Sequence, residues 1–128
     1  MFSHVMIGSN DLERSKRFYD AILDVIGGGP GIFDSRGRLI YAHAGGRLLV
    51  TKPIDGEAAT AANGGTIGFA MTGPEQADAW HAAGRAAGGE PIEDAPGERR
   101  SPVGRVYLAY LRDPDGNKLC ALHRVDPL

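Results

Sequence analysis

Fourteen lysines and arginines against sixteen aspartates and glutamates give this 128-residue chain a formal net charge of −2. That balance leaves no electrostatic footprint for a phosphate backbone or an anionic bilayer, and the one dense basic cluster, Arg99, Arg100 and nearby Arg105, is too small to supply one. Neither a nucleic acid nor a membrane is expected as a partner: no apolar run approaches the ~20 residues that span a bilayer.

A chain of this length is one domain, able to bury about two-thirds of its unfolded surface. Hydrophobic content of 42% with 23% charged residues is that of a globular protein, and 19 glycines, about twice the usual share, point to many turns. The single cysteine, Cys120, cannot form an internal disulfide, and the opening residues lack a basic leader followed by an apolar run, so a cytoplasmic location is expected.

Phe2 to Ser9 reads as a strand with Val5 and Ile7 on one face and His4, Met6 and Gly8 on the other. Asn10 or Asp11 can cap the helix that follows, whose stripe is Leu12, Phe18, Ile22 and Leu23 with Ser15 and Tyr19 between; Gly27-Gly28-Gly29-Pro30 ends it. A short edge strand is expected near Gly31 to Asp34. Arg38 to Ala44 and Arg47 to Lys52 form a hairpin around Gly45-Gly46, since glycine carries no Cβ penalty there. Pro53 to Gly65 has turn chemistry at both ends and no alternation, and reads as a linker.

The second half starts with a strand at Thr66 to Thr72, where Ile67, Phe69 and Met71 oppose the small Thr66, Gly68 and Ala70. A helix opens at Pro74, with Ala77, Trp80, Ala83 and Ala87 along one side and Gly88-Gly89 as its stop. Glu90 to Asp94 is expected as a brief strand, and Ala95 to Gly104, rich in Pro, Gly and Arg, as a mobile loop over the sheet. The chain closes on a hairpin whose turn is Asp113-Pro114-Asp115-Gly116-Asn117; beyond it Lys118, Cys120 and Leu122 share one face, Leu119 and Ala121 the other.

The two halves repeat. A shift of 62 residues lays Val5 on Ile67, Phe18 on Trp80 and Gly27 on Gly89, and a shift of 71 lays Leu48-Leu49 on Leu119-Cys120. Each half is a βαβββ unit, the first spanning about residues 1–52, the linker 53–65 and the second about 66–124. The fold class is therefore α+β. A lone unit leaves one sheet face bare, whereas two paired units give a curved eight-stranded mixed sheet with a concave cleft.

The opening His4-Val-Met-Ile-Gly-Ser-Asn-Asp-Leu-Glu-Arg-Ser-Lys-Arg-Phe-Tyr19, the strand Thr66-Ile-Gly-Phe and the close Asp113-Pro-Asp-Gly-Asn-Lys-Leu resemble the vicinal oxygen chelate superfamily: glyoxalases, bleomycin resistance proteins and extradiol dioxygenases. Metal-dependent members of that family hold an ion with up to four side chains, usually His or Gln, Glu, His and Glu. The matching positions here are His4, Leu49, Thr66 and Cys120. Of the usual ligands only His4 is retained. A divalent ion needs several imidazole or carboxylate donors, so no metal and no other cofactor is expected at the standard position.

The resemblance implies a homodimer with a small-molecule cleft, and the cleft candidates are His4, Leu49, Thr66, Cys120, Tyr107 and Tyr110. His4 offers an acid/base near neutral pH or a wall hydrogen bond. Cys120 offers a nucleophile if its thiol pKa is lowered, or a small buried hydrophobe. Tyr41, His43 and Arg112 also lie on hairpin strands whose faces a bulge would exchange, Arg47 and Lys52 offer charge at strand ends, and Trp80 and Phe18 read as helix anchors. The primary expectation is a ligand-binding protein without a fixed substrate. The rivals are a lyase, isomerase or dioxygenase with a divalent metal on relocated ligands (His4 with His43, Cys120 or Glu98), and a non-catalytic sequestration or interaction module.

Overall fold

A computed structural model describes residues 1–126. Its nine strands and two helices form two sheets of the same topology. The first contains β1 (Val5–Gly8), β2 (Ile32–Phe33), β3 (Leu39–His43) and β4 (Gly46–Thr51) in the order β1-β4-β3-β2; the second contains β5 (Ile67–Ala70), β6 (Glu90–Pro91), β7 (Gly97–Ser101), β8 (Gly104–Arg112) and β9 (Lys118–Arg124) in the order β5-β9-β8-β6, with β7 also on β8. Each sheet has one parallel pair, Val5 beside Leu48 in the first and Ile67 beside Leu119 in the second, and those are the residues that the internal repeat superimposes. The architecture is the paired βαβββ arrangement, divided into two hydrogen-bonded sheets.

The ninth strand comes from a break in an edge. β6 and β7 lie on the same side of β8, pairing Glu90 with Arg112 at one end and Gly97 with Leu108 further along. Between them the backbone leaves the ladder around Glu93, which is left-handed at φ 59°. The expectation of a mobile loop at Ala95 to Gly104 is corrected here: Gly97–Ser101 is a strand, closed by Ser101 Oγ donating to the Gly104 carbonyl at 2.8 Å. Its charged Glu98, Arg99 and Arg100 hide the strand from a search for apolar alternation, because ladder hydrogen bonds rather than burial hold it. The β3–β4 turn also shifts by one residue. Ala44 (φ 50°) and Gly45 (φ 84°) occupy it and Gly46 joins the strand, since a two-residue turn matching strand twist needs positive φ at both central positions.

Helix α1 (Leu12–Val25) is capped by Asp11, whose carboxylate accepts from Arg14 N at 3.0 Å. Helix α2 (Pro74–Ala86) starts on proline, whose missing N–H costs nothing in a first turn. α1 packs on α2, and a single core joins Phe18, Tyr19 and Ile22 to Trp80, Ala77, Leu39, Val50, Leu111 and Leu119. The buried stripe of α2 is Ala77, Trp80, His81 and Gly84 instead of one running through Ala83 and Ala87. The reason is close approach: a Cβ on Gly84 would collide with the Leu111 side chain and press on Ile22 and Phe18.

The terminal hairpin turn docks on the start of α1. Asp113 is buried and accepts from Tyr19 OH at 2.5 Å, from Asn117 Nδ2 and from the N–H groups of Asp115 and Asn117. Burial, then the Asp113 carboxylate, holds the Tyr19 phenol well above its ordinary pKa. Asp115 accepts from Asn10 N and Arg14 Nη2, each at 2.9 Å, and from Ser15 Oγ. The linker is fixed too, because the Asn10 amide both donates to and accepts from the Ala59 backbone.

Two stability outcomes follow. Asp113→Ala strands the Tyr19 hydroxyl and the turn N–H groups, so urea denaturation should show a loss of about 3 kcal/mol, against about 1–2 kcal/mol for Tyr19→Phe; equal or reversed losses would contradict the docking role. Gly84→Ala should cost about 1–3 kcal/mol through overpacking, and an unchanged denaturation midpoint would show that the helices are not in tight contact.

Candidate functional site

Alternation along the paired strands sorts every side chain to one of two faces. Val5, Ile7, Leu48 and Val50 in the first sheet, and Ile67, Phe69, Leu119 and Ala121 in the second, turn toward the helices and belong to or pack on the core. The opposite faces carry the four positions of interest. Met6 stands beside Leu49, and Gly68 beside Cys120, while Thr66 and His4 lie one alternation step before Gly68 and Met6. The ladder between β8 and β9 runs unbroken from Val106–Arg124 to Arg112–Lys118, without a bulge.

Tyr110 lies directly opposite Cys120 on this face, and Arg112 opposite Lys118. Tyr107 does not join them. It sits an odd number of residues from Tyr110, faces the helices, and donates its hydroxyl to Asp78 Oδ1 of α2 at 2.6 Å, so its place among the cleft candidates is corrected. Tyr41 likewise faces inward and donates to Asp20 Oδ1 at 2.6 Å. The relocated-ligand set does not converge: His43 lies near Gly27 at the end of α1, and Glu98 is opposite Tyr107 and pairs with Arg105.

The outer face of the second sheet therefore collects Thr66, Tyr110, Arg112, Lys118 and Cys120. Glu93 joins this group through an ion pair with Lys118, delivered by its left-handed backbone at the break between β6 and β7. Sequence reading missed Glu93 because nothing local marks a residue carried over a sheet by a broken edge strand. The Lys118 ammonium also lies 4.9 Å from the centre of the Tyr110 ring. Burial pushes the Cys120 thiol up, against a smaller opposing effect of the Tyr110 hydroxyl. Burial also raises the Tyr110 phenol, with Cys120 and Glu93 adding to it. At neutral pH the pair is a thiol and a phenol, a weakly polar wall beside a charged one.

The first sheet supplies a different surface. Leu49 is buried between Met6 on β1 and Ile40 on β3, and His4 is exposed at the strand start, its Nδ1 sharing a hydrogen bond with Ser3 Oγ. These residues do not fit the family's metal. With an aliphatic chain at Leu49 and a neutral hydroxyl at Thr66, only His4 and Cys120 remain as donors of the four, too few to hold a divalent ion, and among the described residues no three His, Cys, Asp or Glu side chains gather as metal ligands.

Cavities lie on both sides of these sheets. Two of about 220 Å³ lie between β1 and β5 and share Val5 and Ile67; one is lined by Tyr41, Arg47 and Phe69, the other by Ile7, Thr66 and Lys118. A third, of about 350 Å³, is formed by Ala61 to Thr66 with Arg112 and Lys118. The fourth lies over Ile32, Ile40 and Ala42, and the fifth beside Asp78, His81 and Arg85. Leu49 and Cys120 line none of the five. Among the described residues no helix is long and apolar enough to cross a membrane.

A crystal structure of a glyoxalase/bleomycin resistance protein from Albidiferax ferrireducens T118 is 58% identical to this chain, aligns over 97% of it and 99% of its own length, and has a TM-score of 0.93. The fold is shared at 20% identity by a glyoxalase/bleomycin resistance protein/dioxygenase family enzyme from Burkholderia phytofirmans PsJN (TM-score 0.75, 96% and 98% of the two chains). A lactoylglutathione lyase from Agrobacterium tumefaciens is also 20% identical (TM-score 0.65, 95% and 92%). The sequence matches no protein in the curated set with which it was compared. The profile of the Glyoxalase/Bleomycin resistance protein/Dioxygenase superfamily matches residues 1–121, and the chain belongs to that superfamily.

Proposed function

We propose that this chain is a small-molecule-binding member of its superfamily that works without the family's metal, its ligand lying against the outer face of the second sheet. The observation that carries this reading is the substitution of the donor positions. Leu49, Thr66 and Cys120 keep their places on the faces while losing ligand chemistry, and the same region gains Tyr110, Arg112, Lys118 and Glu93 as binding groups. A rigid wall with a few polar groups suits orientation of a bound molecule, and no nucleophile or acid/base pair is needed to explain it. Self-filling is disfavoured, since Gly68 and Ala70 leave the middle of the second face open.

We further propose a homodimer. Met6 and Leu122 are 42% and 38% exposed on the outer faces of the two sheets, and neither Leu49 nor Cys120 lines any of the five cavities described above. A second copy laying its first sheet over the second sheet of its partner covers that apolar surface and brings the two sides together as a cleft.

Three measurements test these statements. Elemental analysis of untagged protein and of His4→Ala should find well under one metal per chain in both; about one zinc, nickel, iron or manganese, lost in the variant, would overturn the metal-free reading. Sedimentation should give twice the 13.5 kDa chain mass, and Leu122→Glu should shift the population toward monomer; a monomeric wild type would refute the shared cleft. Cys120 should react with a disulfide reagent at least about tenfold slower in the folded than in the urea-unfolded chain at pH 7–8, whereas faster reaction in the folded state would reinstate it as a nucleophile.

A further inference from the structure

The 350 Å³ cavity beside the linker has the composition of a ligand subsite. One wall is the linker segment Ala61-Ala62-Asn63-Gly64-Gly65 leading into Thr66, and the other is Arg112 and Lys118, which stand opposite each other across the β8–β9 ladder. The linker is held in place: Ala61 lies 3.6 Å from the position a Cβ would take on Gly116, and Asn10 grips Ala59 from the other side. Gly64, at φ 100°, and Gly65 present backbone without side chains to the space.

Two cations reach this cavity and neither is used up. Arg112 spends Nη1 on the Gly116 carbonyl at 2.7 Å, which fixes the guanidinium plane and leaves its other N–H groups without a partner among the described residues. Lys118 pairs with Glu93, a contact between partly exposed groups and so one that solvent weakens and leaves open to exchange. The neighbouring acids are otherwise engaged or turned away. Asp113 and Asp115 face α1, and Glu90, in register with Arg112, makes no ion pair with it. Thr66 also lines this cavity, and its hydroxyl makes no hydrogen bond of its own within the described residues.

From this juxtaposition we propose that the cavity binds the anionic oxygen group, carboxylate or phosphate, of the protein's small-molecule ligand. Arg112 and Lys118 supply charge and Thr66 a hydroxyl, with Glu93 as the counter-ion that holds Lys118 in the empty state. This deepens the functional reading above and rests on it for the rest of the ligand, whose uncharged part would then extend along β9 toward Tyr110 and Cys120. A fixed guanidinium beside a mobile ammonium is a common way to grip planar or tetrahedral oxyanions.

The test is an amide NMR titration of the full chain with inorganic phosphate and, separately, with acetate, at constant ionic strength made up with chloride. Saturable shifts confined to Asn63–Thr66 and Lys118 are expected, and the anion that saturates at lower concentration names the group. Lys118→Gln should weaken binding about tenfold. Glu93→Gln, which frees the ammonium, should tighten it several-fold, a gain that mere structural damage would not produce. Shifts that never saturate with either anion, or equal affinity in wild type, Lys118→Gln and Glu93→Gln, would overturn the proposal. The same samples carry the metal analysis, so stoichiometric metal with retained phosphate binding would sink the metal-free reading and leave the anion site standing.

Discussion

The structure depends on two carboxylates in the turn just ahead of the last strand. Asp113 and Asp115 occupy a tight turn that closes the hairpin of the second module, yet their partners are Tyr19, Arg14, Ser15 and Asn10 of the first. Burying a carboxylate is costly unless its oxygens are satisfied, and here the start of α1 and its first two turns satisfy them. The turn thereby sets the distance between modules, and the helices then pack at the spacing that Gly84 permits. With that spacing fixed, the linker has one path, over Gly8 and Gly116, and the cavity beside Thr66 is formed by that path.

Most of the fold was legible because the chain says it twice. The alternation of Val5 and Ile7, repeated in Ile67 and Phe69, and the double-glycine helix stops predicted the modules and the facing of β9 correctly. What stayed hidden has physical reasons. β7 buries little and is held by backbone bonds, so its charged side chains carry no strand signal. The position of Gly84 in the buried stripe depends on the partner helix, which no local periodicity describes. Tyr107 and Tyr110 look equivalent in a list of aromatics, but three residues along a strand put them on opposite faces.

The facing of the candidate positions was legible in the alternation, and the groups that surround them were not. His4, Leu49, Thr66 and Cys120 fall on the outer faces as their places in the pattern require. Resemblance alone names those positions, while the groups that now give the surface its character lie elsewhere. Arg112 and Lys118 became neighbours only through the register of the closing hairpin, and Glu93 only through a break in an edge strand. Register and backbone path, more than residue type at the family positions, decide which groups meet on this surface.

The grip on the linker has a consequence for how the two halves belong to one another. Asn10 and Gly116, one from each module, hold residues 59 and 61, while the stretch before them, through Ile54 and Gly56, stands out in solvent. The covalent connection at that outer tip contributes little to recognition between modules, which is written into the turn, the helices and the anchored end of the linker. A nick at the tip would break none of these contacts, so the outer linker is the place where the chain tolerates cleavage or insertion.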